Sequence, residues 1–472
     1  MKRISTSPSI LLLISIAIIF RLTPESSVQA QNGGQDEPYY VVKAGDSLWE
    51  VASRFGVSLA DLQLANNISE PSQVVIGARL LIPGLQGING QVDTTTIAYG
   101  ETLRSLSRRY DLSQAALAQA NRLVNPAELY AGATLIVPFV ENQNSSDAGR
   151  TTLGSGQSLL VLAVLRGDDP WKIALDNNLS NTWSAVPGGV LNVAGESPAD
   201  APDDLPEAIT KVEVDPLVML QGGTEVVKVY APPGVTLRGS LAGRNLNFFP
   251  QDYGYVALQG IHALTAPGLY PLSLDGELPT GDSFAFSQNV LVKDAKFPYD
   301  PSLTVDPATI DPAVTVPEQK LWESLGVPVT PTKMWNGQFV SPVPKDFTNC
   351  WTSLFGDRRS YNGGTYDSFH SGLDFCGRVG TDLYAVAPGK VTYTNMLTVR
   401  GGVVVIDHGW GVYTAYDHLS KILVQAGDTV QPGQLVGLGG ATGRTTGPHL
   451  HWEVWVGGVQ VNPVDWLNRA YP

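Results

Sequence analysis

The chain repeats itself. Residues Tyr40 to Pro83 recur from about Thr95 to Pro138 at a constant offset of 55, so Gly45 matches Gly100, Leu48 matches Leu103, Asn66 matches Asn121 and Gly77 matches Gly132 without a gap. Such a repeat means two copies of one small supersecondary unit, each with its own thin core. Tyr40 to Lys43 reads as a short strand. Ser47-Leu-Trp-Glu50 has the spacing of a capping box, and Leu48, Val51, Ala52 and Phe55 follow at helical intervals. Ser58 caps a second helix carrying Leu59, Leu62 and Ala65, Asn66-Asn67 ends it, and Arg79 to Ile82 returns as a strand after the turn at Gly77. Each copy, 39–84 and 94–139, is thus expected to be strand–helix–helix–strand.

A degenerate third copy is expected over 158–195. There Gly167-Asp-Asp-Pro-Trp171-Lys-Ile173-Ala174 mimics Gly45-Asp-Ser-Leu-Trp49-Glu-Val51-Ala52, Asn177-Asn-Leu179 follows directly, and the second helix reads as shortened. Beyond a Pro-bearing linker, residues 207–293 change to short alternating runs such as Glu225-Val-Val-Lys-Val-Tyr230 and Asn289-Val-Leu-Val292. Turn residues separate them at the spacing of an antiparallel β-sandwich, a spacer without a catalytic grouping. Residues 294–337 form a Pro-rich connector with one helical candidate, Pro317 to Leu325, and are expected to wrap against the last domain. That domain, 338–472, is rich in Gly and in strand patterns. The fold class that follows is multidomain α+β, ending in a mostly antiparallel β domain.

The first 30 residues have the make-up of an export signal: Lys2 and Arg3, an apolar run from Ile10 to Phe20, and Val28-Gln29-Ala30 at the cut. The run is too short for a comfortable span, which needs ~20 residues; an uncleaved anchor is the alternative. The expected location is therefore the cell envelope or outside it, with no membrane contact after cleavage. A net charge of −14 argues against nucleic acid as a partner. Nothing in the sequence indicates an oligomer. Cys350 and Cys376 are the two cysteines, and in an exported chain such a pair is expected to be a disulfide. Thiolate metal ligands are the alternative, but the C-x-x-C spacing is missing.

Chemistry concentrates near the C-terminus. Four of the six histidines fall in three strings: His370-Ser-Gly-Leu-Asp374, Tyr416-Asp-His418-Leu and Pro448-His449-Leu-His451-Trp452. His449 and His451 on one strand share a face, because side chains alternate. His370 sits in a loop leading into the strand of Asp374 and has to bend back to join them. Two imidazoles and a carboxylate around zinc leave the fourth position open, the arrangement of a hydrolytic site. The remaining imidazoles suit proton transfer near neutral pH. His408 and His262 read as packing residues, and Arg358 and Arg359 either meet a substrate carboxylate or lie on a solvated loop.

Two resemblances follow from these residues. Gly45-Asp-Ser-Leu-Trp49, Asn66-Asn67 and Gly77-Ala-Arg-Leu-Leu-Ile-Pro83 resemble the LysM family, which binds the N-acetylglucosamine backbone of peptidoglycan and chitin. The resemblance implies glycan contacts around Gly45, Asp46, Ser47 and Ile68, and around Gly100, Glu101 and Thr102 in the second copy. There Glu101, Thr102 and Arg104 stand where the first copy has Asp46, Ser47 and Trp49. The C-terminal strings, with Ser353-Leu-Phe-Gly356, Asp407-His-Gly-Trp-Gly411 and Thr442-Gly-Arg-Thr-Thr-Gly447, resemble the M23 family of zinc metallopeptidases, the lysostaphin-like endopeptidases. That resemblance implies one zinc ion held by His370, Asp374 and His451, with His418 and His449 catalytic, and peptidoglycan peptides as substrate. The competing reading is a non-catalytic wall-binding protein or an activator of other hydrolases. Action on chitin is disfavoured, since no paired acidic residues for glycoside hydrolysis stand out.

Overall fold

The computed structural model describes residues 37–472 apart from 71–73, 126–128, 140–147, 155, 178, 187–188, 196–204 and 207. The export segment 1–30 lies outside the described residues. Contacts divide the chain into two units, one reaching to Leu85 and adding Asn89–Val92, the other holding 86–88 and 93–472.

In the first unit, strands Tyr39–Val41 and Arg79–Leu81 pair antiparallel around helices Leu48–Arg54 and Leu59–Ala65. Ser47 and Glu50 form the capping box, and Ser58 caps the second helix. Asn66 explains why the repeat carries Asn at this place. Its side chain donates to the carbonyls of Leu62 and Leu81 and accepts from Leu81 N–H, tying the helix end to the returning strand.

The next module has the same element order: strands Val92–Thr96 and Thr134–Pro138, helices Leu103–Arg109 and Gln114–Ala120, and Asn121 making the same three bonds with Leu117 and Ile136. A third module follows, and it corrects the expectation of a shortened second helix. Strands Ala148–Thr152 and Val190–Ala194 flank helices Leu159–Arg166 and Pro170–Asp176, the second as long as its counterparts. Ser158 caps the first helix, Gly167 ends it at φ +72°, and Asp169 with Pro170 starts the second. Gly167–Trp171 therefore opens the second helix, not the first, and the module starts before residue 158. Asn177 holds Ile173 and Asn192 as Asn66 and Asn121 hold theirs.

The spacer is a two-sheet sandwich. One sheet orders Arg244–Asn245, Thr236–Leu241, Gly268–Glu277, Ser283–Lys293 and Val218–Leu220; the other orders Phe249–Gln251, Gly254–Gly260, Thr224–Tyr230 and Lys211–Asp215. The first face of Thr224–Tyr230 and Gly254–Gly260 sends Val227, Val229 and Ala257 into the sandwich core. The opposite face sends Val226, Val256 and Leu258 into the core of the last domain. Alternation thus lets one sheet serve two cores.

The last domain centres on an antiparallel sheet ordered Trp351–Ser353, Leu373–Cys376, His449–Val456, Val412–Leu419, Gly401–Asp407, Gly389–Leu397 and Thr429–Val430, with Val459–Val461 paired to His449–Val456. Cys350 and Cys376 form the expected disulfide across 26 residues, a loop size for which closure entropy gives roughly 3 kcal/mol. The connector wraps this domain. Asp300 and Leu303 bond along Arg358 and Ser360, and helix Pro312–Leu325 starts earlier than the sequence indicates because Asp311 caps it. Trp322 of that helix is fully buried with Val403, Val405, Tyr413 and Trp455.

Candidate metal centre

Three adjacent strands build the site. Pairing of Leu373–Cys376 with His449–Val456 sets Asp374 opposite His451 and Cys376 opposite His449. Pairing with Val412–Leu419 sets Asp417 opposite His451. Opposed residues share a face, so Asp374, His451 and Asp417 lie in one row with His449 beside it. By the same alternation His418 should point away from its neighbour Asp417. It does not, because its φ is +66° and the register slips between Gly402 and Val404 on the partner strand. This bulge re-aims the ring. A left-handed non-glycine residue costs on the order of 1–3 kcal/mol, a strain that concentrates at functional sites. The His418 ring centroid ends 4.9 Å from that of His449 and 6.0 Å from that of His451. His370, held by main-chain bonds with Gly356 and Asp357, bends back as expected.

Three donor atoms converge. His370 Nε2 lies 2.9 Å from Asp374 Oδ1 and 2.9 Å from His451 Nδ1, and His451 Nδ1 lies 2.8 Å from Asp374 Oδ1. The other ring nitrogens decide the protonation. His370 Nδ1 faces the carbonyl of Leu354 at 2.7 Å, so it donates and leaves Nε2 a lone pair. His451 Nε2 faces Glu453 Oε1 at 3.1 Å, so it donates and leaves Nδ1 a lone pair. Three electron-rich atoms within 2.9 Å of one another need a positive charge among them. A proton is one solution: although burial opposes it, bonds to Asp374 and Glu453 push the His451 pKa up to about 10. Burial likewise opposes the Asp374 charge, yet His370 and His451 hold its carboxyl well below the usual range. A divalent ion supplies the same charge, and two imidazoles with a carboxylate are the donors zinc takes.

His418 and His449 stand beside these atoms as neutral bases. Burial, then the neighbouring His449 and His451, lowers the His418 pKa to about 3, and burial lowers that of His449. His418 Nδ1 donates to Thr442 O at 2.7 Å, and His449 Nδ1 donates to Gly447 O at 2.8 Å. Both rings therefore carry their lone pair on Nε2, and that of His449 lies 3.6 Å from Asp374 Oδ1.

The sequence reading missed the residues that support this cluster. Glu453 is fully buried, and besides His451 it accepts from Ser371 Oγ, Trp455 Nε1 and, at 3.1 Å, Trp322 Nε1 of the connector helix. Two-residue spacing from His451 put Glu453 on the same face, a signal the sequence did carry. Asp417, His451 and Glu453 also lie close enough to share an ion. Burial and Glu453 raise the Asp417 carboxyl well above its usual range. Arg359 is buried rather than solvated, near Asp300 and Ser353. His408 is a packing residue, held by Pro388 O and Thr414 Oγ1, and His262 packs on Phe369.

Residues 368–463, a segment containing His370, Asp374, His418, His449 and His451, match the model of Peptidase family M23, and residues 40–83 and 95–138 each match the LysM domain. The chain carries an M23 peptidase domain and two LysM domains. Over 93 residues it is 50% identical to the peptidoglycan DD-endopeptidase ShyA of Vibrio cholerae, covering 20% of this chain and 22% of that protein. Over 95 residues it is 43% identical to the DD-carboxypeptidase/endopeptidase Mpg of Neisseria meningitidis, again 20% of this chain and 22% of the relative. The chain thus spans less than a third of the length of these curated relatives. Among solved structures, the catalytic domain of lysostaphin from Staphylococcus simulans is 27% identical, with 31% of this chain and 96% of that one covered and a TM-score of 0.21. A zinc-containing peptidase from Vibrio cholerae is 20% identical, with 67% and 98% covered and a TM-score of 0.27.

The LysM residues separate into two groups. In the first LysM domain Gly45 is exposed at φ +89° and Trp49 is 67% exposed, and Ile68 is half-buried. The Asp46 carboxylate is turned inward, where it accepts from Tyr40 Oη, Lys43 N–H and Arg54, and the Ser47 hydroxyl serves the capping box. In the second LysM domain the structure corrects the expectation that Gly100 and Glu101 face a glycan. Both are buried against the sandwich: Gly100 N–H donates to Gln288 Oε1, and Gln288 Nε2 donates to Glu101 O. Ala131 N–H, in the turn before the returning strand, donates to Asn289 O of the same sandwich strand. Thr102 caps its helix. The sandwich strand Ser283–Lys293 therefore occupies the ground on which the second domain was expected to meet sugar.

Proposed function

We propose that this chain is an exported, zinc-dependent endopeptidase that hydrolyses peptide cross-links of bacterial peptidoglycan and is held on the glycan by its LysM repeats. The observation that carries the reading is the meeting of three lone-pair donors, His370 Nε2, Asp374 Oδ1 and His451 Nδ1, beside two neutral imidazoles. When bound there, zinc supplies Lewis acidity towards a carbonyl and acidifies water at neutral pH. His418 and His449 take up the proton that water loses through Nε2 and return it to the leaving amine, and in their protonated form they steady the negative charge that builds on the carbonyl oxygen. Glu453 fixes the tautomer of His451, and Leu354 O fixes that of His370. LysM tethering raises the effective concentration of the site at cross-links.

The test is mass spectrometry of purified peptidoglycan sacculi after digestion. Wild type is expected to convert cross-linked fragments to uncross-linked ones with a new free amine, and His451→Ala to leave them intact. Release that persists in the variant, or wild type that releases nothing, favours instead a wall-binding protein or an activator of other hydrolases.

A further inference from the structure

The cleft above the three donor atoms encloses about 130 Å³ and is lined by three arginines, Arg359, Arg400 and Arg444. Their charges are not used alike. Arg359 lies 3.4 Å from Asp300, and Arg400 pairs with Glu318 at 3.2 Å and reaches Asp417 at 4.0 Å. Arg444 has no carboxylate within hydrogen-bond reach among the described residues. Its guanidinium stacks on the Tyr361 ring at 4.1 Å and gives one long bond, 3.4 Å, to Thr309 O. Its main chain is pinned by a 2.7 Å bond to Val399 O. The next residue, Thr445, lies 3.1 Å from His449 Nδ1, so the turn that orients a base also presents the cation. Burial pushes its pKa down, and an arginine nevertheless keeps its proton. A stacked, planar guanidinium with unused donors is preorganised for a bidentate anion.

We propose that Arg444 forms a subsite for a free carboxylate of the peptide substrate, borne on a residue next to the scissile bond. The connector contributes to the subsite, since Leu303 and Val305 line the same cleft and Thr309 O holds the guanidinium. The inference rests on the endopeptidase reading and refines it: the enzyme selects acidic peptides over their amidated forms.

Two cross-linked peptides that differ only in that carboxylate, free in one and amidated in the other, test this with the full-length zinc-loaded protein. Wild type is expected to favour the acid by about tenfold or more in kcat/KM, mainly through KM. Arg444→Gln is expected to remove the preference by slowing the acid peptide about tenfold to a hundredfold while leaving the amide nearly unchanged, and Arg444→Lys to restore part of it. Equal cleavage of both peptides by wild type overturns the subsite without any variant, as does a loss in Arg444→Gln that is the same for both peptides. Cleavage of neither peptide by wild type carrying its zinc overturns the endopeptidase reading, and the subsite with it.

Discussion

Glu453 holds its two oxygens among four donors: His451 and Ser371 on Oε1, Trp322 and Trp455 on Oε2. Burial opposes its charge, but the bond and charge of His451, with Arg400 and Ser371, together outweigh it and its pKa falls to about 2. A carboxylate that orients a ligating imidazole is commonly worth about 10–100-fold in metal affinity. Glu453→Gln is therefore expected to weaken zinc binding by about that factor in a chelator competition, and Trp322→Phe by less in the same direction. Unchanged affinity in Glu453→Gln would remove the carboxylate from this role. At this scale the sequence was generous with ligands and poor in supports. Ligand imidazoles gather in short strings because strand neighbours bring them together, whereas Trp322 stands 131 residues from Glu453 and reaches it only through a packed helix. The left-handed turn at His418 left no mark either, since no glycine stands there.

Among the elements, strand Gly401–Asp407 is followed directly by His408, which is fully buried and kept neutral with a pKa of about 4 against an ordinary 6.5. Below pH 6.5 the unfolded chain binds a proton that the folded chain refuses. The stability this residue contributes is thus complete above pH 6.5 and declines as pH falls towards 4, by about 3 kcal/mol in all. Urea unfolding of the zinc-free protein across that window is expected to show a shallower decline in His408→Gln than in wild type; parallel curves would contradict it. Element types were legible wherever caps and periodicity agreed, as at Ser47 and Ser58, whereas the cap at Asp311 was passed over and its helix read as starting at Pro317. The third module was misaligned because Gly167-Asp-Asp-Pro-Trp171 carries the cap, the apolar spacing and the tryptophan of a first helix while opening a second. The better guide was Asn177, whose side-chain clamp recurs in all three modules at the same 15-residue span.

Across the whole molecule, the second LysM domain, the third module, the sandwich, the connector and the M23 domain belong to one contact unit. Tyr99 of the second LysM domain is buried in the sandwich core, its hydroxyl bonded to Leu272 O. Copies of one sequence pattern have therefore taken different roles, since one keeps Trp49 exposed and its sibling has become a brace. No pattern within a repeat announces such docking, because the partner Gln288 lies 188 residues from Gly100. Deleting residues 39–84 is expected to lower binding of the chain to purified sacculi at least about tenfold, as loss of a tether does. Gln288→Ala is expected to leave binding in place and lower the melting temperature. Full binding by the deletion would return the glycan role to the other modules.

The most direct test of the central claim is the zinc content of purified full-length protein, measured by elemental analysis after exhaustive dialysis. One zinc ion per chain is expected for wild type and for His418→Ala, and none for His370→Ala, Asp374→Ala or His451→Ala. A wild type without zinc, or a triad variant that keeps its ion, would contradict it.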